Sequence, residues 1–144
     1  MCASDIDQIQ LMDRASLLRW PRKYYTRTLT SSHYYAYLAQ IENQYVGNVM
    51  YRIKNMTLYI DKILVTEPFQ RQGVGGNLLE YAINMGKLQN VSQVILTVSA
   101  KNIEAIDFYF KHNFELERIK WNHYSSGDHG LKMCRLIQTV HMNS

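Results

Sequence analysis

Between Leu58 and Val98 the chain runs through a strand pattern, a glycine loop, a helix pattern and a second strand pattern without interruption, and this order constrains the fold more than any other feature. Leu58 to Val65 is β-rich, Gln70-Arg71-Gln72-Gly73-Val74-Gly75-Gly76 is the loop, and Val74 to Leu88 places Leu78, Leu79, Ala82 and Ile83 on one helical face. Val91 to Val98 is almost continuously apolar, as a central strand covered on both faces must be. The succession reads as a strand-helix-strand crossover. Glycines at a strand-to-helix junction let the backbone approach a ligand closely, and the free N–H groups of the helix's first turn point at an anion. The loop therefore reads as a phosphate cradle, against the plainer alternative of a tight turn with no ligand.

The two commonest phosphate loops do not fit. A Walker loop needs Lys and then Ser or Thr after its last glycine, where this chain has Asn77 and Leu78. A dinucleotide fingerprint needs a third glycine three residues past the second and an acidic residue near the end of the next strand, and neither stands there. What remains is Q-x-x-G-x-G. Downstream the chain reads Asn102-Ile103-Glu104-Ala105-Ile106-Asp107-Phe108-Tyr109-Phe110-Lys111-His112-Asn113-Phe114. The first stretch resembles the acetyl-CoA signature of the GNAT acyltransferase superfamily, R/Q-x-x-G-x-G/A. The second is similar to that superfamily's N-x-x-A-x-x-x-Y-x-x-x-G-F helix. Two motifs in order are far more specific than either alone, and the resemblance spans most of the chain, from about Ser4 to Ile137.

The resemblance implies a single N-acetyltransferase domain over residues 1–144: an α/β GNAT fold with a mixed central β-sheet flanked by helices, and with its first strand short or missing because only Met1 to Ala3 precede the first helix. The other elements are read from the residues themselves. Asp5 to Arg14 is a short amphipathic helix with Ile6, Ile9 and Met12 on one face, and Pro21 opens a second running to about Leu29. Tyr34 to Gln40, Gln44 to Ile53 and Met56 to Val65 form a meander with turns near Glu42-Asn43 and at Asn55. Asn102 caps a helix whose Ile103, Ile106 and Phe110 are core residues. Phe114 to Trp121 and Leu131 to Ile137 make a terminal hairpin around a polar loop, Asn122 to Gly130. Asn113 replaces the usual glycine after the helix, and asparagine is the next best residue for a left-handed helix end.

The resemblance also implies a site. Backbone groups of Ile63, Leu64 and Val65 would bond the pantetheine arm of coenzyme A as an added strand, and one N–H there would polarise the thioester carbonyl. Backbone N–H groups of Arg71, Gln72, Gly73, Val74, Gly75 and Gly76, following Gln70, would hold the pyrophosphate, and Asn102 would support the arm from the other side. Tyr109 falls on the helix tyrosine that faces the sulfur; read without the motif, it is a half-buried aromatic on an amphipathic helix. Where enzymes resembling ribosomal-protein N-terminal acetyltransferases carry a Glu on the second central strand, this chain has Thr97, which cannot act as a base. Tyr59 falls on the other position known for a base, and alternation puts Asp61 on the same face. The plain alternatives are a cross-strand packing residue for Tyr59 and a strand-face charge for Asp61. A water relay between Tyr59 and Thr97 is a further expectation.

The acceptor is read from three places. Ala15 to Trp20 would form one wall of its site, with Trp20 as a contact. The stretch Ile119-Lys120-Trp121-Asn122-His123-Tyr124-Ser125-Ser126-Gly127-Asp128 resembles the loop of protein N-alpha-acetyltransferases in which a pair of tyrosines covers the substrate's first residues; Tyr124 matches the second and His123 replaces the first. An α-amine also loses its proton more easily than a lysine amine, by roughly 3 kcal/mol, which suits a site with no carboxylate at Thr97. The expected reaction is transfer of an acetyl group from acetyl-CoA to the N-terminal α-amine of a protein or peptide. A small amine such as an amino acid, polyamine or aminoglycoside is the second possibility, and a non-catalytic acetyl-CoA-binding or interaction domain the third.

Composition excludes several other classes. Two cysteines, Cys2 and Cys134, and five histidines without metal-ligand spacing argue against a disulfide scaffold or a metal site. The net charge of +4 is scattered, its densest group being Arg19, Arg22, Lys23 and Arg27 on one expected helix, which argues against nucleic acid as the partner. No apolar run approaches a membrane span, so the chain is expected to be cytoplasmic with no membrane partner. Monomer and homodimer both remain open.

Overall fold

The computed structural model describes residues 34–41 and 44–138. The two N-terminal helices, Trp20, the question of a first strand and the turn at Glu42-Asn43 lie outside these residues. Within them the β-rich runs pair as an antiparallel meander: β1 (Tyr34–Ile41), β2 (Gln44–Lys54) and β3 (Thr57–Val65). The link from β2 to β3 is a two-residue turn, Asn55 and Met56, both at positive φ (51° and 62°). That conformation matches the right-handed twist of a hairpin. Met56, which alternation assigns to the strand, is therefore a turn residue and stands 57% exposed.

From β3 the chain passes through a 3-10 turn (Glu67–Phe69) and the glycine loop into α1 (Val74–Leu88), then β4 (Gln93–Ser99), α2 (Ile103–Lys111), β5 (Glu115–Lys120) and β6 (Gly130–Leu136). The sheet order is β1-β2-β3-β4-β6-β5, with β3 and β4 parallel and the remaining neighbours antiparallel. The mixed sheet and crossover expected from the sequence are both present. Among the described residues no helix is long and apolar enough to cross a membrane.

One face of the sheet carries both helices. Leu78, Leu79, Ala82 and Ile83 of α1 are buried against Val49, Tyr51, Leu58 and Ile60, with Val94, Leu96, Val98, Phe114 and Met133 completing the core. Each of the larger aliphatic side chains among these adds about 2 kcal/mol on leaving water. Tyr35 stacks on Tyr51 at 5.0 Å between ring centres, and Tyr81 of α1 meets Tyr37 edge-on. At the far end of α1, a Cβ on Gly86 would lie 2.7 Å from Leu58, so only glycine lets the helix seat this closely on β3.

α2 is rotated relative to its expected orientation. Ala105, Ile106, Phe108 and Tyr109 pack on the core, whereas Ile103 and Phe110, seven residues apart and so on the same helical side, are 63% and 50% exposed. The reason is local. Asn102 caps the helix, its Oδ1 accepting from the Ala105 N–H at 3.1 Å, and Phe108 and His112 turn toward α1, where a Cβ on Gly75 would lie 3.6 Å from Phe108 and one on Gly76 3.1 Å from His112. The helix ends as expected: Asn113 is left-handed (φ 67°), the Phe114 N–H donates to the Tyr109 carbonyl and the Asn113 N–H to that of Phe110.

Candidate active site

β3 and β4 stay paired only at Thr57–Gln93, Leu58–Val94 and Tyr59–Ile95. Beyond Tyr59 the two strands part, and the edge of β3 from Ile63 to Val65 faces an opening rather than a neighbour. A bulge at Asp61, the one β3 residue skipped between the partners of Met50 and Tyr51, adds to the divergence. Backbone N–H and C=O groups along such an edge form a template for an added strand.

The glycine loop sits at the mouth of this opening. Gln70 fastens it to the end of β3, its Nε2 donating to the Val65 carbonyl at 3.0 Å, and the Gln72 amide donates to the Pro68 carbonyl at 3.2 Å. Arg71 (φ 66°) and Gly73 (φ 84°) are both left-handed and turn the chain into α1. The Asn77 N–H donates to Gly73 at 3.0 Å, so the N–H groups of Val74, Gly75 and Gly76 have no acceptor within the helix. These donors at the positive end of the α1 dipole are suited to a diphosphate. The Arg71 side chain turns outward, 3.8 Å from Glu104 of α2.

Tyr109 belongs to the helix-bearing face, set edge-on to Phe108 and Phe114 at 5.1 and 5.5 Å. Burial pushes its phenol up to about 12. Asn102, at the head of the same helix, has its carbonyl oxygen committed to the cap and its amide N–H groups still available.

Tyr59, Asp61 and Thr97 stand on the opposite face. Tyr59 lies between the core residues Leu58 and Ile60 and so points away from α1; Thr97 does the same between Leu96 and Val98. Asp61 joins Tyr59 through a residue that pattern reading passed over. Arg52, directly across β2 from Tyr59, lays its guanidinium over the Tyr59 ring at 4.4 Å and donates from Nε to Asp61 at 3.2 Å. Asp61 is therefore a paired carboxylate; desolvation raises its pKa while Arg52 pulls the other way.

Thr97 also has an unforeseen partner. Lys120, at the end of β5, reaches past β6 and donates from Nζ to the Thr97 hydroxyl at 3.0 Å. A Cβ on Gly130 would lie 3.0 Å from Thr97 and 3.1 Å from His123, so both side chains flank that glycine. His123 meets Tyr124 edge-on at 4.8 Å. Their loop is held by the Tyr124 N–H donating to the Asp128 carbonyl (3.1 Å), by the Ala100 N–H donating to His129 (2.9 Å) and by a Lys101–Asp128 ion pair at 2.8 Å. Thr97 and His123 thus stand on either side of Gly130, with Tyr124 beside His123. Lys120 lay inside the stretch singled out for this loop, but only strand register shows where its side chain goes.

Residues 6–114 match the acetyltransferase (GNAT) family. An N-alpha-acetyltransferase of Sulfolobus acidocaldarius is 32% identical over 139 residues, covering 87% of this chain and 83% of that protein. The crystal structure of the ribosomal-protein-S18-alanine N-acetyltransferase from Escherichia coli superposes with a TM-score of 0.88 at 21% identity, covering 100% of this chain and 95% of that one. Arabidopsis thaliana Naa50, in complex with a bisubstrate analogue of coenzyme A and an acetylated peptide, gives 0.81 at 25% identity with 95% of each chain covered. The parted strands, the glycine cradle and the family match together make this chain a member of the GNAT family, an acetyl-CoA-dependent N-acetyltransferase.

Proposed function

We propose that the chain acetylates the N-terminal α-amine of a protein or peptide by direct attack in a ternary complex. The observation that carries this is the two-sided opening between β3 and β4, with Tyr109 on one face of the sheet and Tyr59, Thr97, His123 and Tyr124 on the other. A peptide amine would enter from the second face and meet a thioester held from the first. The S. acidocaldarius relative and the peptide analogue bound to the A. thaliana protein support a polypeptide acceptor.

Bound acetyl-CoA supplies the activated acetyl group. Val74, Gly75 and Gly76 hold the diphosphate with their free N–H groups, and the edge from Ile63 to Val65 takes the arm as an added strand, an N–H polarising the acetyl carbonyl. Asn102 supports the arm through its amide. Tyr109 donates a hydrogen bond to the departing sulfur. With its phenol at about 12 and a free thiol near 8.5, full proton transfer from Tyr109 would be uphill by about 5 kcal/mol, so its hydroxyl acts as a hydrogen-bond donor and not as an acid. The acceptor's proton leaves through water ordered by the Tyr59 and Thr97 hydroxyls, Asp61 being held by Arg52.

The test is free thiol released from acetyl-CoA by the purified chain, with short peptides as acceptors. Release is expected with free N-termini and not with the same peptides blocked at the α-amine. Release only with lysine side chains, polyamines or aminoglycosides would overturn the proposal.

A further inference from the structure

The face that bears Thr97 carries an imbalance of charge that the reaction does not explain. Arg118 on β5, Lys132 on β6 and Thr97 on β4 lie in one row across three strands, and Lys120 reaches into it to bond the Thr97 hydroxyl. Lys132 has a counter-ion, Glu117 at 3.2 Å. Among the described residues neither Arg118 nor Lys120 makes an ion pair, and Lys120 spends one N–H on a neutral hydroxyl. Desolvation and then the charges of Arg118 and Lys132 hold the Lys120 ammonium below the ordinary lysine range, so its neighbours repel the charge.

An acceptor amine that binds as an ammonium would face these cations across the Thr97 hydroxyl. It would be repelled unless the same molecule brought a negative group. We infer that Lys120, backed by Arg118, is a specificity-determining site for a carboxylate on the acceptor, so that the chain prefers acceptors carrying an acidic group close to the reacting amine. The inference rests on the acceptor entering from the Thr97 face, as proposed above. Two sources share this chemistry: the side chain of an Asp or Glu at the second or third position of a peptide, and the α-carboxylate of a free amino acid.

The experiment uses the full chain, saturating acetyl-CoA, and peptides with one free N-terminus that differ only in Asp, Ala or Lys at the second or third position, beside alanine and alaninamide. One charge-assisted hydrogen bond is worth roughly a tenfold preference, so KM for an Asp peptide is expected about tenfold below that for its Lys counterpart. The ratio should fall below about twofold in Lys120→Gln, reverse in Lys120→Glu and persist in Lys120→Arg. Preference for alanine over alaninamide that is lost in Lys120→Gln, with no turnover of any peptide, would uphold the carboxylate site and overturn the peptide acceptor. Turnover of peptides with equal KM for Asp, Ala and Lys, or a ratio unchanged in Lys120→Gln, would overturn the inference and leave the peptide acceptor standing. If no acceptor turns over, binding of the N-acetylated products by calorimetry decides: a tighter acidic product in the wild type and not in Lys120→Gln supports the site, and equal or absent binding overturns it.

Discussion

The two faces of the sheet around the opening are built differently. The helix-bearing face is made of short-range parts: a glycine loop tied to its own preceding strand by Gln70, a helix N-terminus with three free N–H groups, and a second helix capped by its own Asn102. The opposite face is made of side-chain pairs that meet across strands, Arg52 with Asp61 and Tyr59 between neighbouring strands, and Lys120 with Thr97 across an intervening one. A site made from backbone groups needs particular residue types at particular spacings and leaves a motif. A site made from side chains meeting across strands needs only the right register, and many residues serve.

The sharpest test of the contrast is Tyr109→Phe, which removes one hydroxyl from the helix side. Loss of a hydrogen bond to developing negative charge predicts a fall in kcat of roughly 10- to 100-fold, with acetyl-CoA binding little changed. Because burial lifts this phenol to about 12, the wild-type rate should rise as the acceptor amine deprotonates and show no decline up to about pH 10. A descending limb near pH 9 would contradict Tyr109 as a neutral donor.

Tyr59→Phe probes the opposite face. If its hydroxyl helps order the water that carries the acceptor's proton, kcat falls about tenfold, at the low end of general-base effects. An unchanged kcat would make Tyr59 a packing residue beneath Arg52, and the relay with Thr97 would be abandoned. Asp128→Asn, which loosens the loop carrying His123 and Tyr124 by removing the Lys101 pair, should raise KM for the acceptor about threefold and leave KM for acetyl-CoA alone. Equal changes in both constants would mean that the loop serves the two halves alike.

The smallest effect concerns the clamp that joins α1, α2 and β6. Glu80 accepts from Arg135 at 2.8 Å and lies 3.4 Å from His112. Desolvation pushes its carboxyl up, but Arg135 and then His112 outweigh this and hold it below its ordinary 4.5. A carboxylate lowered in this way stabilises the fold above its unfolded pKa, and the contribution disappears as pH falls through the lower folded value. Glu80 is partly exposed, so Glu80→Gln is expected to lower Tm by only about 2 °C at pH 7 and by nothing measurable near pH 3. The same loss at both pH values would show that the side chain acts through packing.

Three local rules made the helix-bearing half readable from residues alone. The periodicity of Leu78, Leu79, Ala82 and Ile83 set the buried face of α1, the apolar run after it set a central strand, and Asn113 could replace glycine at a left-handed helix end. The errors came where two elements had to choose one contact among several. Ile103, Ile106 and Phe110 were equally apolar, and α2 turned Phe108 and His112 toward Gly75 and Gly76 instead, leaving Ile103 and Phe110 outside. Met56 has the composition of a strand residue, and the geometry of a two-residue hairpin made it a turn. Alternation puts Asp61 with Tyr59, but its partner Arg52 depends on a cross-strand register that no single-strand pattern contains.

The sequence by itself therefore determined the order of elements, the crossover, the glycine loop and the helix bearing Tyr109, because each depends on interactions between residues close along the chain. Only the tertiary structure decided where β3 and β4 part, which side of α2 is buried, and which charges stand beside Tyr59 and Thr97. Those outcomes turn on register and packing between different strands and helices, where a shift of one position sends every side chain to the other face of the sheet.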